Sequence, residues 1–307
     1  MAPTNSLSPR VIKLPGQRLA RLATSLLKLH PLHQGSVSQE PLSFPITAIC
    51  ISDTHNTQPD LPPGDILIHA GDLTENGSFD EVQAQLSWLA AQPHEYKIVV
   101  AGNHDVLLDA KFLEENPERR YGQSKTADDL DWGDVHYLQD SSLELEFPID
   151  SQHASSPSKS TLRIYGSPWT PQYGISAFQY PKHEDIWSNK IPPDKDILIT
   201  HGPPRLHLDK RGFHRAGCPF LAQEIARIRP RLVVFGHIHV AYEREDVVLD
   251  GAQRRWEEII NQWGGLRAAF RGRDALLRAE RVTTFVNAAV VGGPKNELQN
   301  QPVVCVL

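Results

Sequence analysis

The chain has 307 residues, of which 40% are apolar and 22% charged, with a mean hydropathy of -0.38, values of a globular protein that exclude disorder throughout. No apolar run approaches the ~18 residues that span a bilayer, and three cysteines (Cys50, Cys218, Cys305) are too few and too far apart for a disulfide framework or a Cys-ligated zinc site. The formal net charge is -6, and residues 1–39 hold five of the 31 cations (Arg10, Lys13, Arg18, Arg21, Lys28) and none of the 37 acids, so the rest carries -11 and argues against a nucleic-acid partner.

Residues 1–43 read as an appendage rich in Ser, Pro, Leu and His. Leu19, Leu22, Ala23 and Leu26 fall on one face of a helix, with Arg18, Arg21 and Lys28 nearby. Three readings stay open: a poorly ordered tail, a mitochondrial targeting segment, or membrane contact through residues 11–29. The reduced thiols favour a cytoplasmic protein, with a mitochondrial one as the alternative.

From residue 44 the pattern changes to short β-branched runs that end in polar residues. These are Ile46–Ile51 before Ser52-Asp53-Thr54-His55, Asp65–Ala70 before Gly71-Asp72, and Lys97–Ala101 before Gly102-Asn103-His104-Asp105. Later come Asp196–Thr200 before His201 and Arg231–Phe235 before Gly236-His237-Ile238-His239. Each reads as a buried strand. Between the second and third lies a helix: Ser78 with Glu81 fits a capping box, Phe79, Val82, Leu86 and Leu89 keep helical spacing, and Pro93 stops it. This alternation predicts βαβ units.

Residues 106–160 carry weaker signals: an acidic loop at Asp128–Asp134 and a Ser-rich turn at Ser151–Ser160, followed by a strand at Arg163–Gly166. Residues 241–281 form a charged interlude with eight Arg and eight acids. Trp256, Ile259, Ile260 and Trp263 predict one helix there, ended by Gly264-Gly265, and a second helix is expected over 266–281. Two strands, Thr283–Ala288 and Pro302–Leu307, close the chain.

Five of the 14 His residues stand just after a predicted strand, as do Asp53, Asp72 and Asn103. In an open α/β sheet the carboxyl ends of the strands are where ligands bind. Imidazole and carboxylate donors delivered there by five loops suit Zn, Mn or Fe.

The ordered set Asp-x-His, Gly-Asp, Gly-Asn-His-Asp, His and Gly-His-x-His resembles the calcineurin-like metallophosphoesterase superfamily over about Thr47 to Ala288. Gly166-Ser-Pro-Trp-Thr-Pro171, Ile197-Leu-Ile-Thr-His-Gly-Pro-Pro204, Arg229–His239 and Val286-Asn-Ala-Ala289 resemble its metallophosphoesterase domain-containing branch, which includes animal and fungal members. The resemblance implies an α/β fold, a four-layer αββα sandwich of two mixed β-sheets, over residues 44–307 with a helical insertion at about 241–281.

It also implies two divalent metal ions (Mn, Fe or Zn). Asp53, His55 and His239 would hold one and Asn103, His201 and His237 the other, with Asp72 bridging. His104 would face the substrate phosphate, with Asp105 orienting its ring. Asp105 stands where the branch often has Glu. The implied activity is hydrolysis of a small phosphoester, a phosphodiester such as a cyclic nucleotide or a phosphomonoester, by a metal-activated hydroxide. The alternatives are a non-catalytic interaction module, a protein phosphatase or a nuclease. The oligomeric state stays open.

Other residues read as structural. His69, inside an apolar strand, is a satisfied core histidine, while His94, His136, His153 and His183 are solvated. His207 and His214 are candidates for substrate contact. Trp169, Tyr173, Phe178 and Tyr180 are either packing residues or an aryl-binding wall.

Overall fold

The structure is a computed structural model describing residues 16–29, 42, 44–149, 158–261 and 281–307. The chain divides into two compact units, Met1–Ser36 with Asp250–Glu280, and Val37–Leu249 with Arg281–Leu307. Helix α1 (Gly16–Leu29) belongs to the smaller unit.

In the larger unit β1 (Thr47–Ile51), β2 (Ile66–His69), β3 (Tyr96–Val99) and β4 (Val135–Tyr137) pair in parallel. Helix α2 (Phe79–Ala90) connects β2 to β3, and α3 (Ala110–Glu115) falls between β3 and β4. An antiparallel ribbon follows, β5 (Ser141–Ile149) with β6 (Ser158–Ser167), then a short pair, β7 (Thr170–Pro171) with β8 (Gln179–Tyr180). After β9 (Ile197–Thr200) come a hairpin, β10 (Lys210–Arg211) and β11 (His214–Arg215), and helix α4 (Pro219–Ile228), which leads into β12 (Leu232–Phe235). Strand β13 (Glu243–Val248) precedes α5 (Gly251–Ile260). The chain ends with β14 (Val282–Asn287), a hairpin of β15 (Val291–Gly292) and β16 (Glu297–Leu298), and β17 (Val303–Val306).

Two mixed sheets result, one of order β17-β1-β2-β3-β4 and one of order β13-β14-β12-β9-β6-β5. Side chains alternate across each strand, so each sheet has an inner and an outer apolar face. Inner residues Ala48, Cys50, Ile68 and Ile98 of the first sheet share a core with Ile164, Ile199, Val234 and Val286 of the second. Outward from the first sheet, Ile49, Leu67 and Val99 pack with Phe79, Val82, Leu86 and Leu89 of α2. Outward from the second, Leu198, Val233 and Phe285 pack with Leu221, Ile225 and Ile228 of α4. The larger unit is therefore the expected αββα sandwich.

The cap expected at Ser78 is present: its side chain accepts from the Glu81 amide, and the Glu81 carboxylate accepts from the Ser78 amide. Several elements carried weak signals or none. β4 and β5 lie in the region of weak signals, α4 was not anticipated, and β13 forms from residues read as part of the helical interlude. β13 is an edge strand with Glu243, Arg244, Glu245 and Asp246 in succession, so its charges masked it; edge strands tolerate such charge. The expected helix 266–281, Trp263, Gly264-Gly265, His153 and most of the Ser151–Ser160 turn lie outside the described residues.

In the smaller unit the described residues are α1 and α5. Asp250 caps α5 by accepting from the Gln253 amide at 2.7 Å. Trp256 of α5 donates its indole N–H to Thr24 Oγ1 of α1 at 3.0 Å, and Ala23 beside it is buried.

Candidate metal centre

Every ligand candidate sits on a loop that leaves the carboxyl end of a parallel strand. Asp53 and His55 follow β1, Asp72 follows β2, and Asn103, His104 and Asp105 follow β3. His201 follows β9, and His237 and His239 follow β12. The two stacked sheets thus bring five loops to one place. The turns are tight: Asp53, His55, Asp72 and His237 all have positive φ, between 43° and 66°. Non-glycine residues rarely adopt that region, and such strain persists where the surroundings over-determine it. Two glycines allow the close approach. A Cβ at Gly102 would collide with the Asp72 carboxylate and amide, and one at Gly236 with the side chains of Asp53 and Ser52.

Three overlapping groups of donors converge: Asp53 with His55 and His239, His55 with Asp72 and His104, and Asp72 with His201 and His237. His239 Nε2 lies 3.1 Å from Asp53 Oδ1, and the His237 amide donates to both Asp53 oxygens at 3.0 Å. Asp72 Oδ2 is 3.8 Å from His55 Nε2 and 3.2 Å from His201 Nε2. Its Oδ1 accepts from the His104 amide at 2.8 Å. Asn103 Oδ1 joins the second group, 3.1 Å from His201 Nε2. Asp72 is the carboxylate shared between the groups.

The donors fit divalent cations. Both ring nitrogens of His55 are buried without a hydrogen-bond partner. An unpaired buried polar atom is costly, so this ring is poised for a Lewis acid rather than for packing. Burial also drives the His55 pKa down, against the pull of Asp72 and Asp53, which keeps the imidazole neutral as a ligand must be. Burial likewise takes His237 down to about 4. His201 behaves oppositely: burial opposes its charge, but Asp72 overcomes that and carries it up to about 9. His201 Nδ1 lies 2.9 Å from the Ala70 carbonyl, an acceptor only, so Nδ1 holds a proton and Nε2 faces the site. Burial would raise the Asp53 and Asp72 carboxyls, yet His239 and His201 respectively hold them well below the usual carboxylate range.

The role expected of Asp105 is not the observed one. Its carboxylate does not touch the His104 ring; it accepts from the Leu73, Thr74 and Gly102 amides and from Thr74 Oγ1 at 2.8–3.2 Å. Asp105 therefore ties the Asp72 loop to the Asn103 loop. Fully buried beside Asp72, it is pushed up to about 6 by burial and by that neighbouring charge. The His104 ring is fixed instead by Glu75, whose backbone carbonyl accepts from Nδ1 at 2.7 Å, leaving Nε2 toward the site. The Glu75 carboxylate lies 3.2 Å from His55 Nδ1, off the hydrogen-bond direction, and accepts from Asn296 at 2.9 Å. Sequence reasoning missed Glu75; its place three residues after Asp72 in the same loop was the available signal.

Two more supports emerge. His69 is a satisfied core histidine: Nδ1 accepts from the Gly71 amide, and Nε2 pairs with Thr54 Oγ1 at 2.9 Å. Burial lowers it to about 3, so it links the Asp53 and Asp72 loops as a neutral ring. Asn287 donates to the carbonyls of Ile238 and Leu208, pinning the loop that carries His237 and His239.

Several remaining expectations change. His94 is buried, not solvated, with Nε2 at 3.0 Å from the Pro62 carbonyl; His136 and His183 are exposed. His207 is turned inward, stacked on Phe285 and paired with Glu245, while His214 is exposed. Of the aromatic stretch, Phe178 and Tyr180 are buried, Trp169 donates to Asp140, and Tyr173 is exposed beneath Arg211. All three cysteines are free and buried.

Comparison with known proteins shows a family likeness. Residues 46–241 match the family model described as calcineurin-like phosphoesterase. The human metallophosphoesterase domain-containing protein 1 is 39% identical over 211 residues, which are 66% of this chain and 62% of that protein. A UPF0046 protein of Caenorhabditis elegans is 30% identical over 267 residues, 84% of this chain and 74% of that one. A protein of Emericella nidulans named probable rhamnogalacturonate lyase C is 41% identical over 271 residues. That alignment covers 85% of this chain and 24% of the Emericella protein, so the lyase name describes a much longer molecule.

Proposed function

The chain belongs to the calcineurin-like phosphoesterase family, and from that premise we propose that it is a dinuclear metal-dependent hydrolase of a small phosphodiester or phosphomonoester. The observation that carries this reading is Asp72, one carboxylate set against a histidine from each of two donor groups. Asp53, His55 and His239 would hold one cation, and Asn103, His201 and His237 the other, with Asp72 common to both. Bound there, two divalent cations would supply Lewis acidity toward the phosphoryl oxygens and a lowered pKa for water. Their identity follows availability as well as donor type; Mn, Fe and Zn all suit this set.

The chain's own residues set the rest. Asp72 holds the His104 amide, and Glu75 holds Nδ1, so His104 Nε2 is presented to the substrate. Burial acts against its charge, but Asp72 raises its pKa above the ordinary imidazole value, which favours the protonated ring. With a proton on Nε2, His104 acts as general acid: hydroxide adds to phosphorus as the ester P–O bond breaks, and the departing oxygen takes the Nε2 proton. The same cation at Nε2 stabilises charge on the phosphoryl oxygens.

The test is hydrolysis of a chromogenic diester and its monoester counterpart by metal-stripped protein with Mn²⁺ restored, beside Asp72→Asn. Metal-dependent turnover abolished by Asp72→Asn supports the reading, and the diester-to-monoester ratio assigns the substrate class. A folded protein that binds the metals and turns over neither ester overturns it in favour of a non-catalytic interaction module.

A further inference from the structure

We propose that the outward face of α1 is a docking surface for an anionic lipid bilayer. The helix has two apolar faces. Ala23 is buried, and Ala20, Thr24 and Leu27 beside it are half-buried on the side where Thr24 receives the Trp256 hydrogen bond from α5. Leu22, Leu26 and Leu29, spaced i, i+4, i+7, point away from it and are 52%, 59% and 69% exposed. A packed core helix does not leave three leucines in a row to solvent, and a soluble surface helix places polar residues there.

The charge beside the stripe selects the partner. Arg21, Ser25 and Lys28 are exposed along its edge, and α1 contains no acid anywhere. A leucine stripe bordered by cations is the form of helix that lies in a membrane interface, with leucines at the acyl boundary and cations among the headgroups. A second copy of this chain is the poorer occupant, since apposing two acid-free basic faces costs Coulomb energy. A neutral bilayer would not use the cations. The chain outside residues 1–39 carries -11, so an anionic surface repels it and leaves α1 as the point of attachment.

The experiment is flotation of the full-length chain with phosphatidylcholine vesicles, with and without phosphatidylserine, at low and high salt. Recovery with the anionic vesicles, weakened by salt, is expected. Arg21→Gln with Lys28→Gln should weaken that binding about thirtyfold, at roughly fivefold per cation. The triple variant Leu22→Gln, Leu26→Gln, Leu29→Gln should weaken it by about a hundredfold or more. Glutamine keeps helix propensity, so far-UV circular dichroism and Mn²⁺ binding of the variants should match wild type. Equal binding to neutral and anionic vesicles overturns the proposal, as does undiminished binding by the triple variant. So does a wild-type chain that ignores both vesicles, including one that forms a dimer dissolved by the leucine substitutions.

Discussion

Metal binding should displace one proton from His201, and the pH dependence of affinity should reveal it. His201 is fully buried, its Nδ1 proton is committed to the Ala70 carbonyl, and Nε2 faces Asp72 at 3.2 Å. A cation held there must replace the second proton, bound with a pKa of about 9. Holding that proton at pH 7 corresponds to about 2.7 kcal/mol at the ordinary 1.36 kcal/mol per unit. The Mn²⁺ association constant of the site that His201 serves should therefore rise about tenfold per pH unit between about pH 6.5 and 8.5 and level off above about 9. His237, at about 4, contributes nothing in this window because it is already neutral. His239, raised by Asp53 against the effect of burial, belongs to the donors of the other cation and does not enter this slope. Calorimetric titration in buffers of different ionisation enthalpy reads the released proton directly. An affinity flat over this range, with no buffer dependence, would refute the reasoning. A slope that survives His104→Ala would show that His104 is not the source.

Other expectations follow from the same contacts. His104→Ala should lower kcat by about 10²–10⁴-fold, more for esters with poor leaving groups, while Mn²⁺ affinity stays within a few-fold; a parallel loss of metal would make His104 a ligand instead. Gly236→Ala drives a methyl into the Asp53 carboxylate, so metal affinity should collapse in a protein that still shows native-like far-UV circular dichroism. Asp105→Ala strands three amides and a hydroxyl, and should cost about 3 kcal/mol in denaturant unfolding; a loss under ~1 kcal/mol would mean that water replaces the carboxylate.

Much of this was written locally. Strands such as Ile66–His69 and Leu232–Phe235 announce themselves as apolar runs rich in β-branched residues, because burial on both faces favours apolar side chains. The Ser78–Glu81 cap is legible because its partners are three residues apart. The donors were legible too, since each directly follows a strand, and strand ends converge in any open α/β sheet. Where the signal failed, burial was one-sided or charge dominated, as in β13 and in the half-exposed β5.

Only the tertiary structure decided how the donors divide their work. Asp105 and His104 are neighbours in sequence, yet Asp105 turns to the amides of Leu73, Thr74 and Gly102, and a Glu75 carbonyl 29 residues upstream takes the His104 ring. No spacing rule anticipates that, because a buried carboxylate goes where unpaired N–H groups are, and these come from a different loop. The same holds for His201, whose opposite titration from His237 is set by its distance to Asp72, 129 residues away in sequence. Sequence supplies the chemical groups and the strands that carry them. Which proton sits on which nitrogen depends on distances of a few ångströms in a low-dielectric interior, and these exist only once the two sheets have stacked.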